Sequence, residues 1–107
     1  MNRTDNRQQP APVGVVIIED SAWMRENLEA ELNRTDGFRC LNSYRTAEQA
    51  LQGIASDQPD VVIVDINLPG MDGVECVRQL RSIVPKAQCL MLTVYEESEK
   101  IFNSLLA

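Results

Sequence analysis

The sequence predicts an α/β fold built on a doubly wound parallel sheet. Short apolar runs alternate along the chain with segments of helical periodicity. The predicted strands within residues 13–20, 60–65 and 88–93 are nearly continuous apolar runs, which is typical of parallel strands covered on both faces. The predicted strand at 38–44 is more polar and fits an edge position. Because alternating strands and helices form right-handed crossovers, we expect helices on both faces of the sheet.

The boundaries of the predicted helices follow from capping signals and from one proline. An apolar stripe marks the first helix within residues 21–34. Capping-box spacings that begin at Thr46 and Asp72 mark the starts of the second and third helices. Pro85 ends the third helix, and a fourth helix is expected over residues 96–107.

Length, charge and composition indicate one small domain and exclude several kinds of site. The 107 residues are 44% hydrophobic and carry a net charge of −6, which argues against a free-standing nucleic-acid-binding protein. Three cysteines without a CxxC pair suit a reducing cytosol, so we expect a cytoplasmic protein with no membrane contact. The absence of histidine removes the commonest general base and the usual zinc ligand. We expect residues 1–12 to be a flexible leader and residues 13–107 to fold.

Polar side chains stand where three of the predicted strands end. Glu19 and Asp20 follow the first strand, Asp65 ends the third, and Thr93 ends the fourth. Ligands of open parallel sheets bind at the carboxyl ends of the strands, so the carboxylates would converge if the first and third strands are neighbours. Such a set of oxygen ligands favours Mg²⁺. Asp65 is then either a simple ligand or a nucleophile that becomes an aspartyl phosphate, with the Thr93 hydroxyl meeting the phosphoryl oxygens.

The sequence resembles the receiver domain of two-component response regulators from about residue 13 to its end. The resemblance rests on Glu19-Asp20, on Asp65 followed by the loop sequence LPGMDG at 68–73, and on Leu92-Thr93. Singly these features are weak, but in this order on these strand ends they are specific. The resemblance implies a flavodoxin-like receiver fold with strand order 2-1-3-4.

The resemblance also implies a role for each site residue. Asp65 would be the phosphoacceptor, and Asp20 would be a direct Mg²⁺ ligand with Glu19 acting mainly through water. The backbone carbonyl of Asn67 would complete the metal shell, and Thr93 would be the switch hydroxyl. The implied partners are a sensor histidine kinase and either an output domain or a second receiver.

The predicted function is that of a non-enzymatic signalling module. The spacing from Asp65 to Thr93 and the residues after it look most like regulators with a C-terminal helix-turn-helix DNA-binding domain, so DNA would be contacted only through such an output domain. One alternative is a receiver scaffold that works without phosphorylation. Another is a haloacid-dehalogenase-like phosphatase, although Asn67 stands where that family has its second aspartate.

The resemblance implies one further feature that the sequence does not match. Receivers have a fifth strand ending in a lysine that pairs with the phosphoryl group, and neither Lys86 nor Lys100 is in that position. We therefore expect a receiver domain truncated before its fifth strand and fifth helix. Because an uncovered strand edge pairs with other chains, we also expect a homodimer or a domain-swapped assembly.

Overall fold

The computed structural model describes residues 10–92 and Leu105. The elements in this part of the chain are, in order, β1 (Val13–Ile18), α1 (Ala22–Arg34), β2 (Phe38–Tyr44), α2 (Ala47–Asp57), β3 (Val61–Asp65), α3 (Gly73–Ile83) and β4 (Gln88–Leu92). Residues 1–9 of the predicted leader, Thr93, and the predicted fourth helix apart from Leu105 lie outside the described residues. Within the described part, no helix is long and apolar enough to cross a membrane.

The four described strands form one parallel sheet in the order β2-β1-β3-β4. This arrangement confirms the predicted doubly wound α/β fold and its strand order. The polar strand β2 lies at an edge, as its sequence predicted. The register pairs Ile18 with Val64 and Asp65 with Leu92, so the carboxyl ends of β1, β3 and β4 meet on one side of the molecule.

The helices divide between the two faces of the sheet. Helices α2 and α3 contact each other and cover one face, where the main core is formed by Val16, Ile18, Ala47, Ala50, Ile54, Val62, Val64, Leu68, Cys76 and Leu80. Alternate residues of a strand point to opposite faces, so Val15 and Ile17 of β1 face the other side. Helix α1 packs there against β1 and β2, and its apolar stripe is half-buried.

Side-chain caps begin each described helix. The N-cap side chains of Ser21, Thr46 and Asp72 accept hydrogen bonds from the backbone amides three residues later, at distances of 3.2, 3.1 and 2.8 Å. These bonds satisfy amides that have no partner within the helix. The helix starts predicted at Thr46 and Asp72 are thereby confirmed. Helix α3 ends at Ile83, shortly before Pro85, as predicted.

A hydrogen-bond network joins the edge strand β2 to the end of α2. The Tyr44 hydroxyl donates to Asp57, and Asn42 Nδ2 donates to both of these side chains. Burial, followed by the bond to Asp57, raises the pKa of Tyr44 to about 12, so the phenol stays protonated. Gly53 leaves room for the ring, because a Cβ at that position would lie 2.7 Å from the hydroxyl oxygen.

Replacing Tyr44 with phenylalanine should lower the free energy of unfolding by about 1–2 kcal/mol, because Asp57 loses a hydroxyl donor. Urea denaturation of Tyr44→Phe, Asp57→Ala and the double variant measures the effect. The double variant should lose less than the sum of the two single losses, since both changes remove the same bond. Strictly additive losses would contradict the assignment.

Candidate metal centre

Three carboxylates converge where β1 and β3 end. Glu19 and Asp20 follow β1 directly, and Asp65 is the last residue of β3. One carboxylate oxygen from each of these residues lies within 4.8 Å of the others. Parallel pairing of β1 with β3 brings them together, as the sequence predicted from adjacent strand ends. Glu19 and Asp65 are 1% and 3% exposed, whereas Asp20 is exposed, so the cluster opens to solvent at Asp20.

Glu19 is a buried carboxylate, and one of its two oxygens has a hydrogen-bond partner within the described part of the chain. Its Oε2 accepts a hydrogen bond of 2.8 Å from the backbone amide of Ser21. Its Oε1 is buried and has no hydrogen-bond partner among the described residues. Burial raises the pKa of Glu19 to about 8, and the charge of Asp65 adds to the effect while the Ser21 amide opposes it. A cation beside Oε1 would satisfy this oxygen and offset the repulsion between the carboxylates.

The donor set fits a hard divalent cation. All three side chains offer carboxylate oxygens, which Mg²⁺ and Ca²⁺ prefer, and the exposed side of the cluster leaves space for the waters that Mg²⁺ retains. The unpartnered oxygen of Glu19 is the observation that distinguishes this cluster from an ordinary group of surface acids. Glu19, Asp20 and Asp65 are therefore the residues that could hold such an ion.

The backbone after Asp65 is fixed by a local turn and by the neighbouring strand. Asp65 Oδ1 accepts from the backbone amide of Asn67 at 2.9 Å. The amide of Ile66 donates to the carbonyl of Leu92 at 2.9 Å. Asn67 is exposed and belongs to this turn, while the role of its carbonyl as a metal ligand stays a prediction. Thr93 lies outside the described residues, so its switch role stays a prediction too.

Gly73, the first residue of α3, lies directly against the end of β3. A Cβ on Gly73 would lie 2.7 Å from the carbonyl oxygen of Asp65 and 2.7 Å from Cα of Ile66. Only glycine allows the helix to begin this close to the strand. The sequence showed a glycine in the loop that follows Asp65, but it did not show that this glycine contacts the backbone of Asp65.

Arg25 of α1 is a neighbour of the site that the sequence did not indicate. Its Nη1 donates to the carbonyl of Glu19 at 2.9 Å and makes a longer contact of 3.5 Å with the carbonyl of Asp20. The available signal was a cation in the first turn of the helix that follows the two acids. That signal is common on helices, and nothing in the pattern showed that the side chain turns back toward the strand.

A family comparison agrees with the fold. The model of the response regulator receiver domain matches residues 15–107. The chain belongs to this receiver domain family. The receiver fold and strand order inferred from the sequence resemblance are thus confirmed.

Named relatives of this receiver domain include an enzyme and a regulator. It is 38% identical over 73 residues to protein-glutamate methylesterase/protein-glutamine glutaminase 2 of Burkholderia thailandensis, a match that covers 68% of this chain and 21% of that protein. It is 35% identical over 91 residues to response regulator MprA of Mycolicibacterium vanbaalenii, with 84% and 38% covered. The signal receiver domain of NarL from Mycobacterium tuberculosis has a TM-score of 0.73 and 26% identity, and the match covers 91% of this chain and 78% of that one.

These relatives correct one prediction from the sequence. We predicted a protein that is not an enzyme, yet several relatives are named protein-glutamate methylesterase/protein-glutamine glutaminase. The prediction rested on the acids and the loop of the receiver domain. Relatives named as enzymes and a relative named as a DNA-binding regulator both match this domain, so its residues could not exclude an enzyme. The chain spans only 20–25% of the length of these methylesterases.

Proposed function

We propose that this receiver domain is a phosphorylation-controlled switch in which Asp65 accepts a phosphoryl group beside Mg²⁺. The proposal is supported chiefly by the convergence of Glu19, Asp20 and Asp65 around a buried oxygen that has no hydrogen-bond partner among the described residues. When bound, Mg²⁺ would neutralise negative charge on the transferring phosphoryl group. Glu19 and Asp20 hold the ion in this proposal, and Asn67 contributes its carbonyl.

The proposed reaction uses Asp65 as the nucleophile. The amide of Asn67 holds Oδ1, so the second carboxylate oxygen is the one that attacks phosphorus. A P–O bond to Asp65 forms while the P–N bond of a phosphohistidine breaks, and the imidazole leaves and takes up a proton. Because this chain has no histidine, the imidazole belongs to a partner, which we propose is a sensor histidine kinase. We propose that the Thr93 hydroxyl contacts the phosphoryl oxygens.

The proposed output of the switch is control of transcription by a DNA-binding domain. A relative named DNA-binding transcriptional activator DevR/DosR, from Mycobacterium tuberculosis, is 28% identical over 95 residues and supports this choice. The methylesterase relatives favour a second candidate, in which the same module controls an enzymatic domain. We also propose that two receiver domains associate, as the predicted homodimer or as the predicted domain-swapped assembly.

Incubation with acetyl phosphate and Mg²⁺ should add about 80 Da to the protein, the mass of one phosphoryl group. Intact mass spectrometry should show this species for wild type and for the control Asp36→Asn, which removes an exposed carboxylate in the turn before β2. Asp65→Asn should show none of it, because an amide is not a nucleophile of this kind. The same added mass on Asp65→Asn would sink the proposal and favour a scaffold that works without phosphorylation.

Binding of Mg²⁺ can be followed separately through Trp23, which lies at the start of α1 near the acids. Titration with MgCl₂ should give a saturable fluorescence change that is weakened in Asp20→Asn. A wild-type signal that does not respond, together with a calorimetric titration that shows no heat, would remove the metal from the proposal.

A further inference from the structure

The side chain of Arg25 turns back from α1 toward the strand end that carries the acids. The backbone amide of Arg25 makes the first hydrogen bond of the helix, to the Ser21 carbonyl at 2.9 Å. The carbonyls of Glu19 and Asp20 come before the Ser21 carbonyl in the chain, outside the helical hydrogen-bond pattern. The amide of Met24 donates to the Ser21 side chain. The Arg25 guanidinium reaches these two carbonyls instead, at 2.9 and 3.5 Å.

Arg25 makes one of three hydrogen bonds that hold Glu19, each at a different group of the residue. The amide of Glu19 donates to the carbonyl of Tyr44 on β2 at 3.0 Å. Its carboxylate accepts from the Ser21 amide at 2.8 Å, and its carbonyl accepts from Arg25. The bond made by the Glu19 amide constrains the peptide before Glu19, and the bond from Arg25 constrains the peptide that joins Glu19 to Asp20. The orientation of this second peptide affects where both carboxylates lie relative to Asp65.

The hydrogen bonds of Arg25 go to carbonyl oxygens and not to the carboxylates. The charge of Arg25 and its hydrogen bonds therefore have opposite effects on cation binding by the carboxylate cluster. A positive charge beside the carboxylates weakens the attraction of the site for a cation. Its hydrogen bonds to the peptide leave the carboxylate oxygens available and hold them in one arrangement. Removing Arg25 therefore strengthens cation binding if only its charge matters, and weakens it if its hydrogen bonds matter more.

We propose that Arg25 is a positioning residue for the cation site, and that its hydrogen bonds to the Glu19–Asp20 backbone outweigh its unfavourable charge. This inference rests on the proposed function, since it concerns how the same carboxylates are held. Partners of this kind, which orient the ligands of a metal, change metal affinity by about 10- to 100-fold when they are removed.

The test compares Arg25→Gln and Arg25→Lys with Arg34→Gln, using Mg²⁺ as the probe. Arg34 provides a matched control because it lies in the last turn of the same helix and pairs with the exposed Glu31. Trp23 fluorescence and calorimetry should show Mg²⁺ affinity weakened about 10-fold or more in Arg25→Gln. Arg25→Lys keeps the charge on a shorter and more flexible side chain that cannot place a nitrogen where Nη1 lies, so it should also bind Mg²⁺ more weakly than wild type. Arg34→Gln should bind as wild type does.

A second readout does not depend on the metal. Hydrogen exchange at the Ser21 amide should become faster in Arg25→Gln and stay unchanged in Arg34→Gln, because the Glu19 carboxylate that accepts from this amide loses its fixed position. If Arg25→Gln binds Mg²⁺ as tightly as wild type or more tightly, the inference about Arg25 is overturned and the proposed cation site is not. A wild-type protein that binds no Mg²⁺ overturns the proposed cation site as well. If Arg25→Gln does not fold, unchanged affinity in Arg25→Lys overturns the inference.

Discussion

Replacing Gly73 with alanine should destabilise the protein by about 2–3 kcal/mol, in the range of overpacking at a tight contact. The new Cβ would lie 2.7 Å from the carbonyl oxygen of Asp65 and from Cα of Ile66. Both are backbone atoms, so neither can rotate away as a side chain would. Either the end of β3 or the start of α3 must move. The better helix propensity of alanine offsets the loss by at most about 1 kcal/mol.

Gly53→Ala is the matched control for this substitution. It makes the same change inside α2, and its new Cβ also meets an atom at 2.7 Å. That atom is the hydroxyl oxygen of Tyr44, at the far end of a side chain that can shift. Urea denaturation should therefore show a clearly smaller loss for Gly53→Ala than for Gly73→Ala. Equal losses, or a Gly73→Ala variant more stable than wild type, would contradict the close backbone contact.

Without divalent cations, the free energy of unfolding should fall as the pH rises from 4.5 to about 8. Over this range the folded protein keeps a proton on Glu19, because burial raises the pKa of its carboxyl to about 8 from 4.5. The unfolded chain has already released that proton. A folded state that binds more protons than the unfolded state loses stability as pH rises, here by about 2–4 kcal/mol. Denaturation curves in EDTA across this range measure the slope.

Glu19→Gln should remove most of this slope, because glutamine has no proton to release. At pH 8 the variant should be more stable than wild type in EDTA, since it buries no charge. Mg²⁺ should stabilise wild type at pH 8, by about 2.7 kcal/mol at a concentration 100 times its Kd, and should stabilise the variant less. Glu26→Gln, at an exposed position of α1, should keep the wild-type slope. A slope of opposite sign, or one unchanged by Glu19→Gln, would show that Glu19 ionises freely in the folded protein.

The sequence predicted those parts of the fold and site that depend on local pattern and on strand adjacency. The apolar runs of β1, β3 and β4 indicated parallel strands, and the capping residues Thr46 and Asp72 marked two helix starts. β1 and β3 are largely buried, as predicted. The predicted burial of β4 is wrong for the described residues, because Leu90 and Met91 are exposed. The carboxylate cluster followed because residues at the ends of adjacent parallel strands lie close together. The pairing of β1 with β3 is enough to bring Glu19 and Asp20 close to Asp65.

The remaining features depend on tertiary contacts or on residues elsewhere in a protein. The reach of Arg25 back to β1 is set by how α1 packs, and the contact of Gly73 with Asp65 is set by how α3 approaches the sheet. Neither leaves a periodic signal in the sequence. The prediction of a non-enzymatic protein was wrong because receiver residues carry no information about the domain that they regulate.

The hydrogen bond from Ile66 to Leu92 connects the end of β3 directly to the end of β4, the outer described strand on that side of the sheet. It joins the peptide just beyond Asp65 to the last residue of β4, across a register in which Asp65 and Leu92 are already paired. Such bonds tolerate little change in length or angle. A displacement of the main chain at Asp65 would therefore break this bond unless the end of β4 moved with it.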